Sequence, residues 1–178
     1  MRTISTDRFA LEPQTVAHAE EMFEVLSDPA IYEFENEPPE SLEWLRERYR
    51  KLETRRSADG TQHWLNWVIR LPTSELAGYV QATVHPDGRA AIAYELGSKF
   101  WGRGLASAAL RAMIPVLAED YNVRRLYAVL KYANHRSQRL LERLGFAPAS
   151  PALEAALGVE PYEALMVCLL YTSDAADE

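Results

Sequence analysis

The apolar positions in the first third of the chain predict one short strand and two helices. Residues 7–11 predict the strand, and apolar side chains recur at helical spacing over residues 16–26. An acidic, proline-containing loop over residues 33–39 follows. Ser41 then caps a second helix, whose charged remainder faces water.

The middle of the chain predicts three successive strands and a long helix. Residues 63–70 and 76–84 are rich in aromatic and β-branched side chains and enclose a turn, so they predict a hairpin. Residues 90–96 are small and apolar, which is typical of a buried central strand. A helix over about residues 105–119 comes next, and Pro115 within it should kink the helix or start its last turn afresh.

The last third of the chain completes a β-α-β-α-β order. Residues 125–130 predict a strand, and residues 134–144 predict a helix that Gly145 ends. Phe146 opens another short strand. After an alanine-rich loop with a helical turn, a final strand begins near Glu163.

Composition and charge restrict the class of protein. The chain has 178 residues, of which 48% are hydrophobic, and this predicts one domain, which we place at residues 1–167. The net charge of −7 and the dispersed basic residues indicate no nucleic-acid partner. No stretch approaches the ~18 apolar residues of a membrane span, and the N-terminus lacks the apolar core of a signal peptide. We therefore expect a cytoplasmic protein that acts away from membranes.

Residues that bind metals are sparse. Cys168 is the only cysteine, and the four histidines, His18, His63, His85 and His135, have no ligand spacing. A disulfide framework and a cysteine metal site are both excluded. We predict no metal.

The segment Gly102-Arg103-Gly104, between a predicted strand and a predicted helix, has the features of an anion site. A helix start leaves about four N–H groups without partners and carries a partial positive charge. Glycines permit close approach and the positive φ angles that turn successive N–H groups inward. A plain glycine turn is the alternative. A dinucleotide fingerprint is disfavoured because Ser107 takes the third glycine position, and a P-loop because G-K-[ST] is lacking.

Two motifs, in the correct order, resemble those of the GNAT superfamily of N-acetyltransferases. The first resembles motif A, Q/R-x-x-G-x-G/A, and consists of Trp101, Gly102, Arg103, Gly104, Leu105 and Ala106. The tryptophan at the first position departs from the motif. The resulting pattern W-G-x-G-x-A resembles that of the branch that includes the ribosomal-protein N-terminal acetyltransferases. The second motif resembles that branch's N-x-x-S…LE-x-x-GF signature and contains Asn134, Ser137, Leu141, Glu142, Gly145 and Phe146.

The resemblance implies a fold and an acyl donor. The fold class is α/β (α+β), a GNAT fold with a mixed, mostly antiparallel sheet of about six to seven strands and about four helices. The donor is acetyl-CoA, whose pyrophosphate is bound by main-chain amides of residues 101–106. An N–H group near Leu96 or Gly97 polarises the thioester carbonyl, and Asn134 binds the pantetheine or its neighbourhood. It remains open whether Asn134 is only a helix N-cap and whether Arg103 contacts phosphate or is simply exposed.

Direct attack by an amine in a ternary complex requires a base, a polarised carbonyl and an acid for the leaving thiolate. Glu95 is the first choice of base, because burial in an apolar strand would raise its pKa. Ser137 is the candidate acid, unless it only satisfies the helix end. The carboxylates of Glu33, Glu35 and Glu37 either attract a cationic amine or form an ordinary solvated charge run.

The expected function is acetyl transfer to a primary amine, either the N-terminus of a protein or a small molecule. The alternative is a non-catalytic acetyl-CoA-binding regulatory module, and we expect a monomer or a homodimer in either case. Trp64 and Trp67 are three residues apart in a strand, so they face opposite sides and at most one lines an acceptor pocket.

The last eleven residues, 168–178, resemble a translated transposase-type sequencing adapter. On this interpretation Cys168 is accidental and the natural sequence after Val167 is missing. The alternative is an ordinary final strand with a frayed acidic end.

Overall fold

The computed structural model of the protein describes residues 1–170 and contains one mixed sheet with helices on both faces. The strands are β1 (Ile4–Ser5), β2 (Ala10–Pro13), β3 (His63–Arg70), β4 (Leu76–Val84), β5 (Arg89–Leu96), β6 (Arg125–Lys131), β7 (Ala147–Pro148) and β8 (Glu163–Leu169). The α-helices are α1 (Ala19–Leu26), α2 (Leu42–Glu53), α3 (Leu105–Tyr121), α4 (His135–Arg143) and α5 (Pro151–Ala156).

The sheet is mostly antiparallel, as expected. Its strand order is β1-β2-β3-β4-β5-β6-β8-β7, and only β5 and β6 run parallel. The eight strands of the described residues exceed the expected six to seven because β1 is a two-residue strand without a long apolar run, whereas β7 corresponds to the short strand expected at Phe146. The fifth helix, α5, is similarly short, with six residues.

The central strands β5 and β6 pair over only part of their length. Their register runs from Arg89 opposite Arg125 to Ala91 opposite Tyr127. Beyond Ala91, β5 keeps β4 as its neighbour on one side but has no strand neighbour on the other. A cleft therefore opens within the sheet, toward the carboxyl ends of both strands.

Strand alternation divides the core into two layers. The α1 and α2 side contains a smaller cluster that includes Met22, Leu45, Tyr49 and Val68. The α3 and α4 side contains the larger cluster, whose members include Trp67, Leu110, Met113, Leu126 and Leu141. Each residue of β5 thus projects toward one helix pair or the other.

Several local details differ from the sequence predictions. The strand predicted at residues 7–11 begins at Ala10, because Thr6 N–H donates to the Phe9 carbonyl in a turn. Helix α3 runs without interruption through Pro115 to Tyr121. Proline has no N–H group, so one helical hydrogen bond is missing at Pro115, and packing of α3 within the larger core compensates for its loss.

The start of the adapter-like segment is part of the sheet. Cys168 and Leu169 continue β8 and lie opposite Leu126 and Arg125 of β6. This pairing is compatible with the ordinary-strand alternative, and residues 171–178 lie outside the described residues. The adapter origin of the segment stays a hypothesis. Within residues 1–170, no helix is long and apolar enough to cross a membrane.

Gly78 permits the close approach of β4 and β5 beside the cleft. It lies opposite Leu96, and a Cβ atom built on it would be 2.0 Å from the Glu95 carbonyl oxygen and 2.8 Å from the Leu96 Cα atom. Both obstructing atoms belong to the main chain, so the clash can be relieved only by moving the end of β5.

We expect Gly78→Ala to destabilise the protein by about 2 kcal/mol, through this steric overlap. A fall of roughly 4–8 °C in Tm should be measured by thermal unfolding. Gly97→Ala is the matched control, because a Cβ there makes only ordinary contacts of 3.5 Å or longer, to Phe100 and Val25. Equal melting temperatures for the two variants would contradict the prediction.

Candidate active site

The opening between β5 and β6 forms a cleft of about 260 Å³, which we call the β5–β6 cleft. Residues from the ends of both strands, the loop before α3 and the start of α4 line it. Part of the loop between α1 and α2 also borders it. The cleft therefore lies where β5 and β6 no longer pair with each other.

The loop before α3 presents a row of unused hydrogen-bond donors. The N–H groups of residues 102–107 donate to no other residue in the described part of the chain, and the first helical bond joins Ala108 N–H to the Gly104 carbonyl at 3.0 Å. Gly102 and Gly104 have φ angles of 76° and 69°. A Cβ on either glycine would meet no atom within 4 Å, so the space above the loop is open. This arrangement fits a pyrophosphate.

Two side chains fix this loop. Trp101 Nε1 donates to the Leu96 carbonyl at 3.1 Å, and the Arg136 guanidinium lies 3.8 Å from the centre of the Trp101 ring. Arg8 donates to the Arg103 carbonyl at 2.8 Å and so ties the loop to the segment before β2. Arg103 itself is exposed.

The hydrogen-bond alternation of β5 decides which main-chain donor faces the cleft. Gly97 N–H donates to the Ala77 carbonyl of the β4 side at 2.9 Å. Because successive residues of an antiparallel strand direct their N–H groups to opposite edges, the N–H group of Leu96 is directed toward the cleft. Of the two candidate amides, Leu96 is thus the one that can meet a ligand there.

Glu95 is a partly buried carboxylate held by two side-chain donors. Asn36 Nδ2 donates to one oxygen at 2.8 Å, and the Tyr79 hydroxyl donates to the other at 3.0 Å. Burial is the largest influence and raises the pKa of Glu95, the two hydrogen bonds lower it, and the nearby charge of Glu35 raises it. The net pKa lies above that of an ordinary glutamate, as burial alone predicts.

The preceding residue, Tyr94, projects to the opposite face of β5. Its hydroxyl forms a hydrogen bond with the Ser137 hydroxyl at the start of α4. Burial raises the pKa of Tyr94, so its hydroxyl keeps its proton at neutral pH. Asn134 caps α4, because its Oδ1 accepts the Ser137 N–H at 3.2 Å, and it also lines the cleft.

Residues 33–37, which we call the strap, join the two sides of the cleft. The Glu35 carboxylate accepts the Lys131 N–H of β6 at 2.6 Å, whereas the adjacent Asn36 binds Glu95 on β5. Asn36 has a left-handed φ of 59°. Glu33 borders the β5–β6 cleft and Glu37 borders the neighbouring cavity, so the acidic run lies at the site.

A second cavity, of about 420 Å³, lies between α2 and the sheet, and we call it the α2 cavity. It shares Asn36, Ala93 and Glu95 with the β5–β6 cleft, so the Glu95 carboxylate stands at the junction of the two spaces. Trp64 and Trp67 line neither space. Trp67 is fully buried and donates to the Arg2 carbonyl.

Comparison with protein families decides the affiliation of the chain. The family model of the acetyltransferase (GNAT) domain matches residues 8–147. This range includes Glu95, Ser137 and the loop with the unpaired N–H donors of residues 102–107, which we call the donor loop. The chain belongs to the GNAT family. It is therefore related to acyltransferases that share this fold.

Individual relatives agree with the GNAT assignment. The uncharacterized N-acetyltransferase p20 of Bacillus licheniformis is 27% identical over 149 residues, which cover 82% of this chain and 83% of p20. RimL, a ribosomal L7/L12 alpha-N-protein acetyltransferase solved with coenzyme A, has a TM-score of 0.80 at 18% identity, with 95% and 98% of the two chains covered. The acetyltransferase of Salmonella typhimurium that modifies the N-terminal serine of L7/L12 has a TM-score of 0.79 at 16% identity, with 96% and 100% covered.

The structure brings most of the GNAT site residues predicted from the sequence to one place. The members of the predicted set that line the β5–β6 cleft are Glu95, Leu96, Trp101, Ala106, Asn134 and Ser137. Gly102, Arg103 and Gly104 are exposed, and Leu105 is buried beneath them. Within residues 1–170, no group of histidine, cysteine, aspartate or glutamate residues could hold a metal ion.

Sequence reasoning missed four residues that make contacts within this candidate site. They are Asn36, Tyr79, Tyr94 and Arg136. The alternation of strand β5 could have placed Tyr94 opposite to Glu95. The contact of Tyr79 with Glu95 depends on strand register, and that of Asn36 on the path of the strap, neither of which leaves a local sequence pattern.

Proposed function

We propose that the protein transfers an acetyl group from acetyl-CoA to a primary amine by direct attack in a ternary complex. One observation carries the proposal: the adjacent residues Tyr94 and Glu95 project to opposite faces of β5, beside the unpaired N–H groups of residues 102–107, and Tyr94 is hydrogen-bonded to Ser137 of α4. A proton acceptor and a proton donor are thus separated by the main chain of β5. That arrangement suits a reaction in which the nucleophile and the leaving group lie on different sides.

Glu95 is the proposed general base. Its raised pKa increases the proton affinity of the carboxylate, and its position at the α2 cavity lets it take a proton from an incoming ammonium group or from the amine as the bond forms. Asn36 and Tyr79 occupy one lone pair on each oxygen and hold the carboxylate in a fixed orientation. The remaining lone pairs are available to the amine.

The donor loop and the end of β5 are the proposed acetyl-CoA site. The N–H groups of residues 102–107 would hold the pyrophosphate, and Asn134, whose Nδ2 has no partner within residues 1–170, would hold the pantetheine region. Bound acetyl-CoA supplies an activated acyl carbon. Leu96 N–H would donate to the carbonyl oxygen, where negative charge develops.

Ser137 is the proposed acid for the departing sulfur. The Tyr94 hydroxyl, whose pKa is raised by burial, can return a proton to the serine through their mutual hydrogen bond. A direct transfer of this kind needs no covalent enzyme nucleophile. Cys168 lies on β8 and lines neither the β5–β6 cleft nor the α2 cavity.

The acceptor is an amine on a protein N-terminus or on a small molecule. RimL and the Salmonella typhimurium protein act on a ribosomal-protein N-terminus and share the fold, which supports the first possibility. The limited volume of the α2 cavity, about 420 Å³, supports a short acceptor segment in either case.

We expect the protein to release free coenzyme A thiol from acetyl-CoA in an amine-dependent manner. A panel of short peptides with free N-termini, amino acids, polyamines and aminoglycosides should contain at least one acceptor that raises thiol release above background hydrolysis. The acetylated product is confirmed by mass spectrometry. Tight coenzyme binding without turnover on any amine would support a regulatory module instead.

Gly104→Val should weaken coenzyme A binding about tenfold or more, measured by titration calorimetry. Valine disfavours the positive φ that aligns the N–H groups of the loop, and its side chain enters the open space above them. Gly60→Val is the matched control, since Gly60 has a φ of 74° and equally open surroundings, but lies in a turn after α2. Unchanged affinity in Gly104→Val would contradict the loop assignment.

Glu95→Gln should lower kcat/KM about 100-fold or more. It should also abolish the acid limb of the pH profile, which is the fall of kcat/KM at low pH that protonation of the base causes. Because the pKa of Glu95 is raised, activity in the wild type is lost as pH falls through a value above 4.5, the ordinary value for glutamate. Asn36→Gly keeps the left-handed φ but deletes a hydrogen bond that lowers this pKa, so the limb should move to higher pH. A limb at the same pH in wild type and Asn36→Gly would assign it to the acceptor amine.

A further inference from the structure

The residues that line the α2 cavity indicate which chemical groups an acceptor carries besides its amine. Its floor is the sheet face toward α1 and α2, where Asn66, Gln81 and Ala93 lie side by side on β3, β4 and β5. The next row holds Val68, Tyr79 and Glu95. A row of amide side chains therefore lies roughly 7 Å from the row of the proposed base, two residues along each strand.

Several polar side chains of this cavity belong to largely buried residues, and one of them carries an unpaired hydroxyl group. The Tyr49 residue is 4% exposed and its hydroxyl has no hydrogen-bond partner in the described part of the chain. Gln14 and Asn66 are 5% and 7% exposed. The Gln14 N–H group donates to the Asn66 carbonyl at 2.9 Å. Both residues line the cavity, but the Tyr49 hydroxyl is the only buried side-chain polar atom of the described residues that lacks a partner.

A buried hydroxyl group without a partner, such as that of Tyr49, is costly, and an apolar side chain would fill the same space more favourably. Burial also raises the pKa of Tyr49, which keeps its hydroxyl protonated as a donor. The group of Gln14, Tyr49, Asn66 and Gln81 contains both donors and acceptors and no charge. It matches a neutral hydrogen-bonding group such as an amide or a hydroxyl.

The charged residues of the α2 cavity add a second criterion for the acceptor. The charged residues that line the cavity are Glu37, Arg48 and Glu95. Glu95 can accept the reacting amine, whereas the side chains of Gln14, Tyr49, Asn66 and Gln81 are themselves uncharged and supply no counter-charge to a second cation. An alkyl chain would leave the polar groups unpaired.

We infer that the acceptor is a primary amine joined by a short chain to an uncharged amide or hydroxyl group, which binds Tyr49, Asn66 and Gln81. The inference rests on the proposed acetyl transfer, for which it names the acceptor class. Both an N-terminal residue with its peptide group and a free amino amide have this chemistry.

Three matched amines test the selection. In 4-aminobutanamide, 1,4-diaminobutane and pentylamine, chains of equal length end in an amide, a second cation and a methyl group. Titration calorimetry with coenzyme A present measures binding without turnover. We expect 4-aminobutanamide to bind about tenfold more tightly than either of the others. Equal or tighter binding of pentylamine or 1,4-diaminobutane would overturn the inference.

Tyr49→Phe should reduce the preference for 4-aminobutanamide over pentylamine roughly three- to tenfold, because it deletes one hydrogen bond to the amide group. Its Tm should not fall, since the deleted hydroxyl has no partner to lose. Asn66→Leu, of similar volume, should reduce the preference further. Tyr121→Phe, outside the cavity, is the control, and an equal change in Tyr121→Phe and Tyr49→Phe would also overturn the inference.

The same measurements distinguish the sources and the two proposals. Tighter binding of the dipeptide amide Ser-Gly-NH₂ than of 4-aminobutanamide assigns the class to polypeptide N-termini, and the reverse assigns it to small molecules. Selective binding without thiol release from acetyl-CoA would refute the proposed transfer while the selection stands. Thiol release with all three amines at equal kcat/KM would refute the selection alone.

Discussion

The incomplete pairing of β5 with β6 is the constraint on which the site depends. A parallel pair that continued past Ala91 would satisfy the edge of β5 and close the sheet. Because pairing stops there, the N–H group of Leu96 remains directed at open space, and the side chains of Tyr94 and Glu95 border a cleft rather than a neighbouring strand. The donor loop follows the end of β5, so its unpaired N–H groups lie beside the same cleft.

Successive side chains of β5 point to opposite faces of the sheet, so this strand separates two environments. Even-numbered positions face the large α3 and α4 core, whereas Glu95 faces the smaller layer beneath α2. A carboxylate facing a mainly apolar layer has a raised pKa, and the donors Asn36 and Tyr79 limit that rise. Burial and hydrogen bonding act in opposite directions on the pKa, which keeps Glu95 a stronger base than an exposed carboxylate without leaving it unpaired.

Periodicity and glycine placement were sufficient to predict the main strands, the four longer helices and the donor loop, because each depends on local sequence. Ser41 and Asn134 were placed correctly as helix caps for the same reason. The register that brings Tyr79 to Glu95, and the path that carries Asn36 there, depend on contacts between distant segments. The amide-lined cavity was equally hidden, since Gln14, Asn66 and Gln81 are isolated polar residues in apolar surroundings.

The strap is attached to both sides of the cleft through adjacent residues. Glu35 is bonded to the main chain of β6, and Asn36 to the carboxylate on β5, with one peptide unit between them. A separation of the two strands that exceeds the reach of these side chains would break one of the two hydrogen bonds. The hydrogen bond from Asn36 lowers the pKa of Glu95. A ligand that spreads the strands far enough to break this bond would therefore raise the proton affinity of the carboxylate.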